Sequence, residues 1–452
     1  LAYIAAAIRE KGHEVCVVDA PGSAPRNYYL VKDSLRVRGL TQKEIIERIP
    51  SDVQVIGLGC MFTSHWIFVR DLISEIRKSF QNAFIVMGGE HATGFPEFSL
   101  DDAPLDCVVL GEGEETTIEL LDHVEKGLPL DKITGLGYRI SHESIKINPR
   151  RRRVREIDSI AKPAWDLFDI QKYNEVKQPH GSAQGNFMPM LATRGCPFSC
   201  TFCSSPNMWT TEWIPRDYKL VVDEMQEYEQ KYGAVDFQFE DLTAIVRKDW
   251  IMNFCNEILS RQMKITFQLP SGTRSEGIDY EVAKKLKAAG CHEFAFAPES
   301  GDPRVLKAIK KKVNLSKMFD SARNCLKAGI NVGCFYIIGF PEARITLSQA
   351  VIYLACSPKS NSAYMAINDA QEEVRSSGNL SIPLHLRNAP TKLMKELGYG
   401  KDYQYSHNKP NDAQEFLPTE ISGNPYYKPS NNTKENAFKE GLKNLWKEKY
   451  NY

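Results

Sequence analysis

The sequence lacks the features of a membrane or secreted protein. Among its 452 residues, no apolar run approaches the ~18 residues that a membrane-spanning helix needs, and no basic leader with an apolar core opens the chain. Lysine plus arginine equals aspartate plus glutamate at 57 each, so no overall electrostatic field attracts nucleic acid or an anionic membrane. We therefore expect a cytoplasmic protein. Because the chain begins with Leu1 inside an apparent helix, we also expect an incomplete N-terminus.

The eleven cysteines lack the regular spacing of a disulfide framework. Only one group is tightly spaced, in the run RGCPFSCTFC, and without a secretory leader this favours reduced thiols and one metal site. Seven other cysteines lie mostly in apolar strand-like or helical surroundings, where a cysteine behaves as a small buried hydrophobe. These seven are Cys60, Cys107, Cys255, Cys291, Cys325, Cys334 and Cys356.

The first 140 residues alternate between strand-like and helical patterns. Apolar strands at EVCVVDA, VQVIGLGCMF, AFIVMGG and DCVVLGEGE are separated by amphipathic helices such as WIFVRDLISEIRKSF. This pattern predicts a doubly wound parallel sheet, which we expect to lack its first strand. Ligands of such sheets lie at the carboxyl ends of the strands. Those ends carry Asp19, Cys60–Ser64, Gly88–Thr93 and Gly111–Glu114.

The more polar residues 141–187 are interpreted as a linker. Its basic run at 149–156 is interpreted as a solvated connector, with a nucleic-acid-binding patch as the alternative. From residue 188 the alternation resumes with five strands, MPMLATRG, VDFQFED, KITFQLP, HEFAFAPE and NVGCFYIIGF. The intervening helices predict five βα repeats of a parallel barrel, whose catalytic groups come from strand carboxyl ends. A sixth repeat is not evident past residue 341.

Three cysteines in the spacing C-x3-C-x2-C can ligate three irons of a [4Fe–4S] cluster. Cys196, Cys200 and Cys203 form this set, and the next cysteine is the distant Cys255. Because a structural cluster or a structural zinc ion takes four protein ligands, the fourth iron is left open for a small bidentate ligand. Phe202, inside the last spacer, would help to exclude solvent from the cluster.

This spacing, after a strand and before a helix, resembles the radical S-adenosylmethionine superfamily. The resemblance implies that the open iron holds the amino and carboxylate groups of S-adenosylmethionine. It also implies that an electron donor such as flavodoxin or ferredoxin drives cleavage to a 5′-deoxyadenosyl radical. The strand-end segments FQFED, APESG and YIIGFPE resemble the family's cofactor contacts, and LPSGTRSEG adds a further candidate. The implied contacts are Phe202, Glu240, Asp241, Arg274, Glu299, Ser300, Ile338 and Gly339.

The segment between residues 86 and 121 resembles the cobalamin-binding domain found upstream of many such enzymes. Gly88 and Gly89 would let the backbone approach a large flat ring, and the Gly111–Glu114 turn adds backbone donors. The D-x-H-x-x-G motif is absent, so no histidine ligand to cobalt is expected from it. A domain that has lost its cofactor is the alternative. The implied contacts are Thr63, Ser64, Gly88, Gly89, Glu90, His91, Gly111, Glu112, Gly113 and Glu114.

Together, residues 1–340 resemble cobalamin-dependent radical S-adenosylmethionine enzymes. The resemblance implies methyl transfer to an unactivated carbon of a small-molecule or lipid-like substrate, with cyclisation or rearrangement as the alternative. The expected fold is α/β: a truncated doubly wound sheet, an incomplete (βα)6-type barrel, then a mainly helical segment. The expected domain ranges are 1–140, 141–187, 188–341 and 342–452.

Residues 342–452 resemble the C-terminal oligomerisation region of replication-associated recombination ATPases of the AAA+ type, most clearly at HLRNAPTKLMKELGYGK. The motif G-x4-G-K-[ST] occurs nowhere in the chain, so no nucleotide hydrolysis is expected. At GFPE, residues 339–342, the resemblance changes from the radical enzymes to the ATPases. We therefore hypothesise a chimera of two truncated proteins. We expect weak folding between residues 335 and 365. The alternative function is an oligomerising DNA-repair interaction protein.

Overall fold

The computed structural model describes residues 1–336, apart from 32–34, 142–143, 178 and 274–275, and short separate stretches between 365 and 450. The chain divides into two compact units, Leu1–Ile337 and Ile338–Tyr452. Within the described part, no helix is long and apolar enough to cross a membrane.

The first part of the larger unit is built on a five-stranded sheet. Its strands lie in the order β3, β4, β5, β6, β7, and the first three are parallel. The elements in chain order are α1 (Ala2–Glu10), α2 (Ala20–Ser23), β1 (Tyr28–Val31), β2 (Leu35–Arg38), α3 (Gln42–Glu47), β3 (Val55–Gly59), α4 (Trp66–Ser79), β4 (Phe84–Gly88), α5 (Glu90–Gly94), α6 (Pro96–Asp102), β5 (Cys107–Val109), α7 (Glu114–Lys126), β6 (Leu136–Ser141) and β7 (Ser144–Ile147).

Helices cover both faces of this sheet because the strands are apolar on both sides. On β4, Ile85 and Met87 point into one apolar cluster with Ile73 of α4. The intervening Val86 belongs to a separate cluster with Leu120 of α7. Alternate residues of a strand face opposite sides, so the doubly wound arrangement follows directly. The antiparallel hairpin β6–β7, which extends the sheet at one edge, was not predicted.

The predicted strand EVCVVDA is wrong. Residues 14–19 are described, and they form no strand; β3 is the edge of the sheet on that side. Val15 and Val17 instead pack against a small cluster that contains Ala5 and Ala6 of α1. Apolar alternation shows that a segment is extended and half-buried, but a strand also needs a neighbour to complete its hydrogen bonds.

The second part of the larger unit is a partial barrel. Five parallel strands lie in the order β8, β11, β12, β13, β14, which confirms the predicted fold class. The elements are α8 (Ile170–Glu175), β8 (Phe187–Met190), β9 (Thr193–Arg194), α9 (Ser205–Trp209), β10 (Ile214–Pro215), α10 (Tyr218–Tyr232), β11 (Asp236–Phe239), α11 (Lys248–Ser260), β12 (Thr266–Thr273), α12 (Tyr280–Ala288), β13 (Cys291–Glu299), α13 (Pro303–Ala308), α14 (Leu315–Lys327) and β14 (Asn331–Tyr336).

A group of aromatic side chains fixes the helices of the barrel on its strands. Phe254 of α11 meets Phe239 and Phe267 edge-on, with ring centroids 5.6 Å apart in both pairs. Phe254 and Phe267 are fully buried. Edge-to-face pairs of this kind contribute about 0.5–1.5 kcal/mol each beyond the burial of their area. The strands are thereby held in register from their outer side, which leaves the carboxyl ends to carry function.

Buried cysteines in these cores behave as predicted. Cys60, Cys107, Cys255, Cys291 and Cys325 are all buried, and burial raises the pKa of each thiol. Cys334 is exposed, so the prediction is wrong for this residue: it lies on β14, the edge strand of the described barrel. Cys356 lies outside the described residues.

In the second unit, a described helix is α15 (Thr433–Trp446), within the segment expected to be mainly helical. Before it, the carboxylate of Glu415 accepts hydrogen bonds from Ser422 and Tyr450 and pairs with Lys449. The join at 341 and most of the region expected to fold weakly lie outside the described residues.

Candidate functional site

The cysteine loop follows β9 at the carboxyl end of β8, as predicted. Cys200 is buried, Cys196 is half-buried and Cys203 is exposed, and none of the three forms a disulfide. Gly195 opens the loop with a φ of +88°, and a Cβ there would lie 2.1 Å from the carbonyl oxygen of Glu212. Only glycine therefore fits ahead of Cys196.

The donor set of this loop fits an iron–sulfur cluster better than a single ion. In the described part of the chain, no three His, Cys, Asp or Glu side chains converge on one metal ion. A cluster instead takes one thiolate per iron, and the loop offers three thiols from one short segment. The loop is braced from the barrel, since the amide of Thr201 donates to the carbonyl of Ile309 at 3.0 Å.

Asp241 supports the entry to the cysteine loop from below. Its carboxylate accepts hydrogen bonds from the amide of Ala192 at 3.1 Å and from the hydroxyl of Thr193 at 2.6 Å. It is buried, and burial raises its pKa from 3.8 to about 6 against the opposing effect of these hydrogen bonds. The structure therefore places this predicted cofactor contact beneath the loop, where it orients the backbone that leads to Cys196.

Glu240 lies next to Asp241 but faces the opposite way, towards a segment that crosses the concave side of the sheet. The side chain of His180 in that segment lies 2.7 Å from the carboxylate of Glu240. The segment is anchored further down, where Gln268 donates to the carbonyl of Ser182 at 2.8 Å. Gly181 permits this close approach, since a Cβ there would lie 2.1 Å from the Gln268 side-chain oxygen.

Glu299 ends β13 in a left-handed backbone conformation, with a φ of +63°. Lys311 donates to its carboxylate at 2.9 Å, and both side chains are buried. A non-glycine residue held in this backbone conformation stores roughly 1–3 kcal/mol of strain, which contacts with its surroundings must offset. The following Ser300 accepts a hydrogen bond from the amide of Asp302. Glu299 and Ser300 thus lie where the sequence placed them, at the carboxyl end of the strand.

The remaining predicted contacts to S-adenosylmethionine stay predictions. Phe202 is 47% exposed beside the cysteines. Arg274, Ile338 and Gly339 lie outside the described residues.

The Gly88–Gly89 turn has the form of a cradle for a large ligand. Gly89 has a φ of +105°, and a Cβ there would lie 2.7 Å from the carbonyl oxygen of Cys60. His91 follows in α5, buried, with its ring stacked on Trp66 at 4.6 Å. Burial lowers the pKa of His91. Its Nδ1 lies 3.2 Å from the hydroxyl of Thr63.

Two buried polar atoms near this turn fit a polar ligand. Among the described residues, neither Nε2 of His91 nor Oε2 of Glu90 has a hydrogen-bond partner. Buried polar groups are paired in the great majority of proteins, so these atoms favour an additional group at the turn. Ser64 lies in the exposed 3-10 turn Thr63–His65. The amides at the periphery of a corrin ring both donate and accept hydrogen bonds, so they fit an acceptor such as Oε2 of Glu90 and an imidazole nitrogen such as Nε2 of His91.

The Gly111–Glu114 turn is used differently from the prediction. The Gly111 amide donates to the hydroxyl of Thr93 at 3.0 Å. The carboxylates of Glu112 and Glu114 are buried and engage arginines, so they do not face an open ligand site. At Gly113, a Cβ would lie 3.0 Å from the side chain of Ile4 in α1. The turn therefore holds neighbouring elements through its carboxylates and through the amide of Gly111.

The basic run at 149–156 is a solvated connector only in part. Residues 149, 150, 152, 155 and 156 are exposed, as predicted. The side chain of Arg153 is instead buried and pairs with Glu112 at 2.7 Å, and Arg151 pairs with Glu119. Arg153 also donates to the carbonyl of Trp209, beyond the cysteine loop. The prediction is wrong for these two arginines, because carboxylates of the same unit lie close enough to pair with them.

The carboxyl edges of the two sheets therefore face each other. Thr93, after β4, donates to the sulfur of Met208 at 3.4 Å, and Met208 lies in α9, directly after the cysteine loop. The carbonyl of Met208 also lies 3.6 Å from where a Cβ of Gly111 would be. The helix after the cysteine loop thus contacts the turns that follow β4 and β5.

Four residues of this site were missed from the sequence: Arg153, His180, Arg194 and Lys311. Arg194 was part of the quoted motif RGCPFSCTFC, and Arg153 of the basic run, but a single sequence gives no sign of which carboxylate each one meets. One signal was available. The acidic turn Gly111–Glu114 and the basic run 149–156 have opposite charges and flank one helix and one hairpin, which favours a pairing.

Three family models match the chain: a B12 binding domain over residues 1–121, the Radical SAM superfamily over 190–345, and the MgsA AAA+ ATPase C terminal over 321–446. An uncharacterized methyltransferase of Pyrococcus horikoshii is 30% identical over 358 residues, which is 78% of this chain and 72% of the relative. The replication-associated recombination protein A of Coxiella burnetii is 47% identical over 111 residues, 24% of this chain and 25% of that protein. Both predicted resemblances are confirmed.

The fold is also similar to that of a solved structure. The radical S-adenosylmethionine methyltransferase TsrM from Kitasatospora setae, solved with cobalamin and a [4Fe–4S] cluster, aligns with a TM-score of 0.59 at 19% identity. The alignment covers 74% of this chain and 65% of TsrM, so the chain spans about two thirds of that structure. At this identity the likeness confirms the fold.

The raised pKa of Asp241 predicts a specific pH dependence of stability. The folded chain holds a proton on this carboxyl between pH 4 and pH 6 that the unfolded chain releases, because its pKa is about 6 instead of 3.8. The unfolding free energy of the wild type should therefore fall relative to Asp241→Asn as the pH rises through this range, by up to about 3 kcal/mol. Urea denaturation of both chains from pH 4 to pH 7 measures this. Asp249→Asn, at an exposed carboxylate, is the control and should show no such fall; a constant difference for Asp241→Asn would contradict the prediction.

Proposed function

We propose a methyl-transfer reaction for this chain on the premise that it belongs to the radical S-adenosylmethionine enzymes with a B12-binding domain, the family shown by its methyltransferase relative. The proposed reaction places a methyl group on an unactivated carbon of a small-molecule or lipid-like substrate. The observation that supports this proposal is that α9, the helix directly after the cysteine loop, contacts the turns after β4 and β5 through Met208. Two cofactors held at these edges would face a common space.

Within this proposal, Cys196, Cys200 and Cys203 hold the [4Fe–4S] cluster, and the Gly88–Gly89 turn holds cobalamin. When bound, the cluster supplies the electron that cleaves S-adenosylmethionine, and cobalamin carries the methyl group. Soft thiolate donors suit iron–sulfur clusters, and glycine at position 89 lets the turn pack directly on the backbone of Cys60, since a Cβ there would lie 2.7 Å from its carbonyl oxygen.

The barrel's own carboxylates supply contacts to the polar ends of S-adenosylmethionine. Glu240 lies at the carboxyl end of β11, and its side chain is about one-third exposed, so it can accept hydrogen bonds from an ammonium group. Glu299 is oriented by Lys311, and with Ser300 it presents acceptors at the end of β13. Asp241 stays beneath the loop and holds its entry.

A cyclisation or rearrangement by the same site remains the second reaction of this class. Both reactions need the same cysteine loop, so the fate of the S-adenosylmethionine methyl carbon distinguishes them. We further propose a flavodoxin or ferredoxin as the electron donor, because the reduction needs one electron from outside the chain. The cytoplasm is the proposed compartment, since thiols stay reduced there.

Residues 342–452 carry a second candidate function. The match to the AAA+ ATPase C terminal and the 47% identity to a recombination protein support an oligomerisation role for this segment. These two comparisons also support the hypothesis that the chain is a chimera, because the two family matches overlap only at residues 321–345.

The chimera hypothesis predicts that the source DNA is not continuous across codon 341. Amplification with primers on either side of this codon should yield no product, whereas primer pairs within codons 190–330 and within codons 360–446 should each amplify. A single continuous product across codon 341 would contradict the hypothesis.

Substitution of Cys200 tests the cluster assignment. Cys200→Ala removes one of three thiolates, so the anaerobically reconstituted chain should lose the broad visible sulfur-to-iron absorbance and release no 5′-deoxyadenosine from S-adenosylmethionine. The control is Cys16→Ala, an exposed cysteine outside the loop, which should keep both. Equal iron content and equal cleavage in the two variants would overturn the assignment.

Substitution of Gly89 tests the cobalamin assignment. A Cβ at this position would lie 2.7 Å from a backbone oxygen at a φ of +105°, so Gly89→Ala should displace the turn and weaken cobalamin binding by about tenfold or more. The control is Gly94→Ala, where a Cβ meets open space. Absorbance titration of the full chain with cobalamin measures both, and equal dissociation constants would count against a site at this turn.

A further inference from the structure

A compact group of four charges lies between the cysteine loop and the Gly111–Glu114 turn. Arg153 and Arg194 face Glu112 and Glu114, and all four side chains are less than 10% exposed. Their formal charges balance. We call this set the interdomain charge cluster.

The contacts within the interdomain charge cluster are short and connected. Arg194 donates to Glu114 through Nη2 at 2.7 Å and to Glu112 through Nη1 at 3.2 Å. The second carboxylate oxygen of Glu112 accepts from Nε of Arg153 at 2.7 Å and from the amide of Val154 at 3.0 Å. Glu112 is therefore held by both arginines, and Arg194 spans two carboxylates of one turn.

Aromatic rings close the interdomain charge cluster against water. The guanidinium of Arg194 lies 5.0 Å from the ring centroid of Tyr3 and 5.9 Å from that of Trp209. The guanidinium of Arg153 lies 5.2 Å from the same Trp209 ring. Trp209 ends α9, the helix after the cysteine loop, and Arg194 precedes the loop. Residues on both sides of the loop therefore contact the interdomain charge cluster.

The residues of the interdomain charge cluster come from two separate elements of the chain, which indicates a role in holding them together. Arg194 is two residues before Cys196, and Glu112 and Glu114 belong to the turn after β5. Buried ion pairs contribute little to stability, because desolvation of the charges offsets their attraction, and their best attested use is to fix the register of two elements. Here the two elements are the edges proposed to hold the two cofactors.

We propose that Arg194 is a positioning residue, which fixes the cysteine loop against the Gly111–Glu114 turn. It thereby sets the distance between the [4Fe–4S] cluster and cobalamin. The inference rests on the proposed function, since it concerns the distance between the two cofactors. Arg194 touches neither reacting group in this role. Lysine is not equivalent at this position, because one ammonium does not span two carboxylates as the planar guanidinium does.

The separation can be measured directly in the loaded full-length protein. The chain is reconstituted with iron and sulfide, loaded with cob(II)alamin and reduced so that both centres carry an unpaired electron, and pulsed electron paramagnetic resonance then reports their distance. Only molecules that carry both centres contribute to this signal. A lower cluster content in a variant therefore does not imitate a change of distance.

The wild type should show one narrow distance distribution. Arg194→Gln should lose it, Arg194→Lys should fail to restore it, and Glu114→Gln, which leaves Arg194 in place, should broaden it as well. The matched control is Arg155→Gln in the same basic run. Arg155 pairs with Glu212 at an exposed position, so this variant should keep the wild-type distribution.

The outcomes distinguish a failure of the proposed function from a failure of the positioning role of Arg194. If the wild type takes up no cluster or no cobalamin, the proposed function fails and the inference fails with it. If the wild type binds both, and Arg194→Gln and Glu114→Gln keep the wild-type distribution, only the positioning role of Arg194 is overturned. Should Arg194→Gln not fold, Glu114→Gln decides the result alone.

Discussion

The buried guanidinium of Arg194 constrains the arrangement of the larger unit. An arginine cannot lose its charge inside a protein, and removing it from water without partners is expensive. It therefore needs carboxylates, and the chain supplies them from a different sheet, at Glu112 and Glu114. Glu112 in turn requires Arg153 from the connecting run. Separation of the two sheets at this edge would break these ion pairs. Because desolvation offsets most of their attraction, the pairs fix which groups of the two edges meet and add little to stability.

This docking explains why glycines are concentrated where the edges meet. Gly89, Gly111 and Gly195 all have positive φ values, and a Cβ on Gly89 or Gly195 would overlap backbone oxygen atoms. Glycine at these positions lets the chain turn tightly against neighbouring backbone, and ion pairs hold the Gly111–Glu114 turn. The border of the site is thus held in place, which is a condition for holding two large cofactors at a fixed distance.

Sequence patterns predicted the elements well where local physics determines them. The five strands of the barrel follow from their apolar runs, and the position of Cys196 follows from its place after β8. The failures share a different cause. Residues 14–19 have a strand's alternation but no partner strand among the described residues, and the basic run 149–156 has the composition of a surface segment but buries Arg153 against Glu112. Pairing partners are set by tertiary contacts, and one sequence without such contacts does not contain them.

The segment at 180–184 covers polar side chains in the interior of the barrel. The concave side of the strands carries polar residues: Gln238 accepts from the amide of His180 through its side-chain oxygen, and Gln268 donates to the carbonyl of Ser182. Among the described residues, Nε2 of Gln238 has no partner. Asp236 lies deeper, 2.9 Å from His292. Polar side chains that face the inside of an open sheet need partners, and here the chain's own backbone provides them. The lower part of the concave face is therefore filled by the protein itself. A ligand of this barrel is left with the carboxyl ends of the strands, where Glu240 is already held in place by His180.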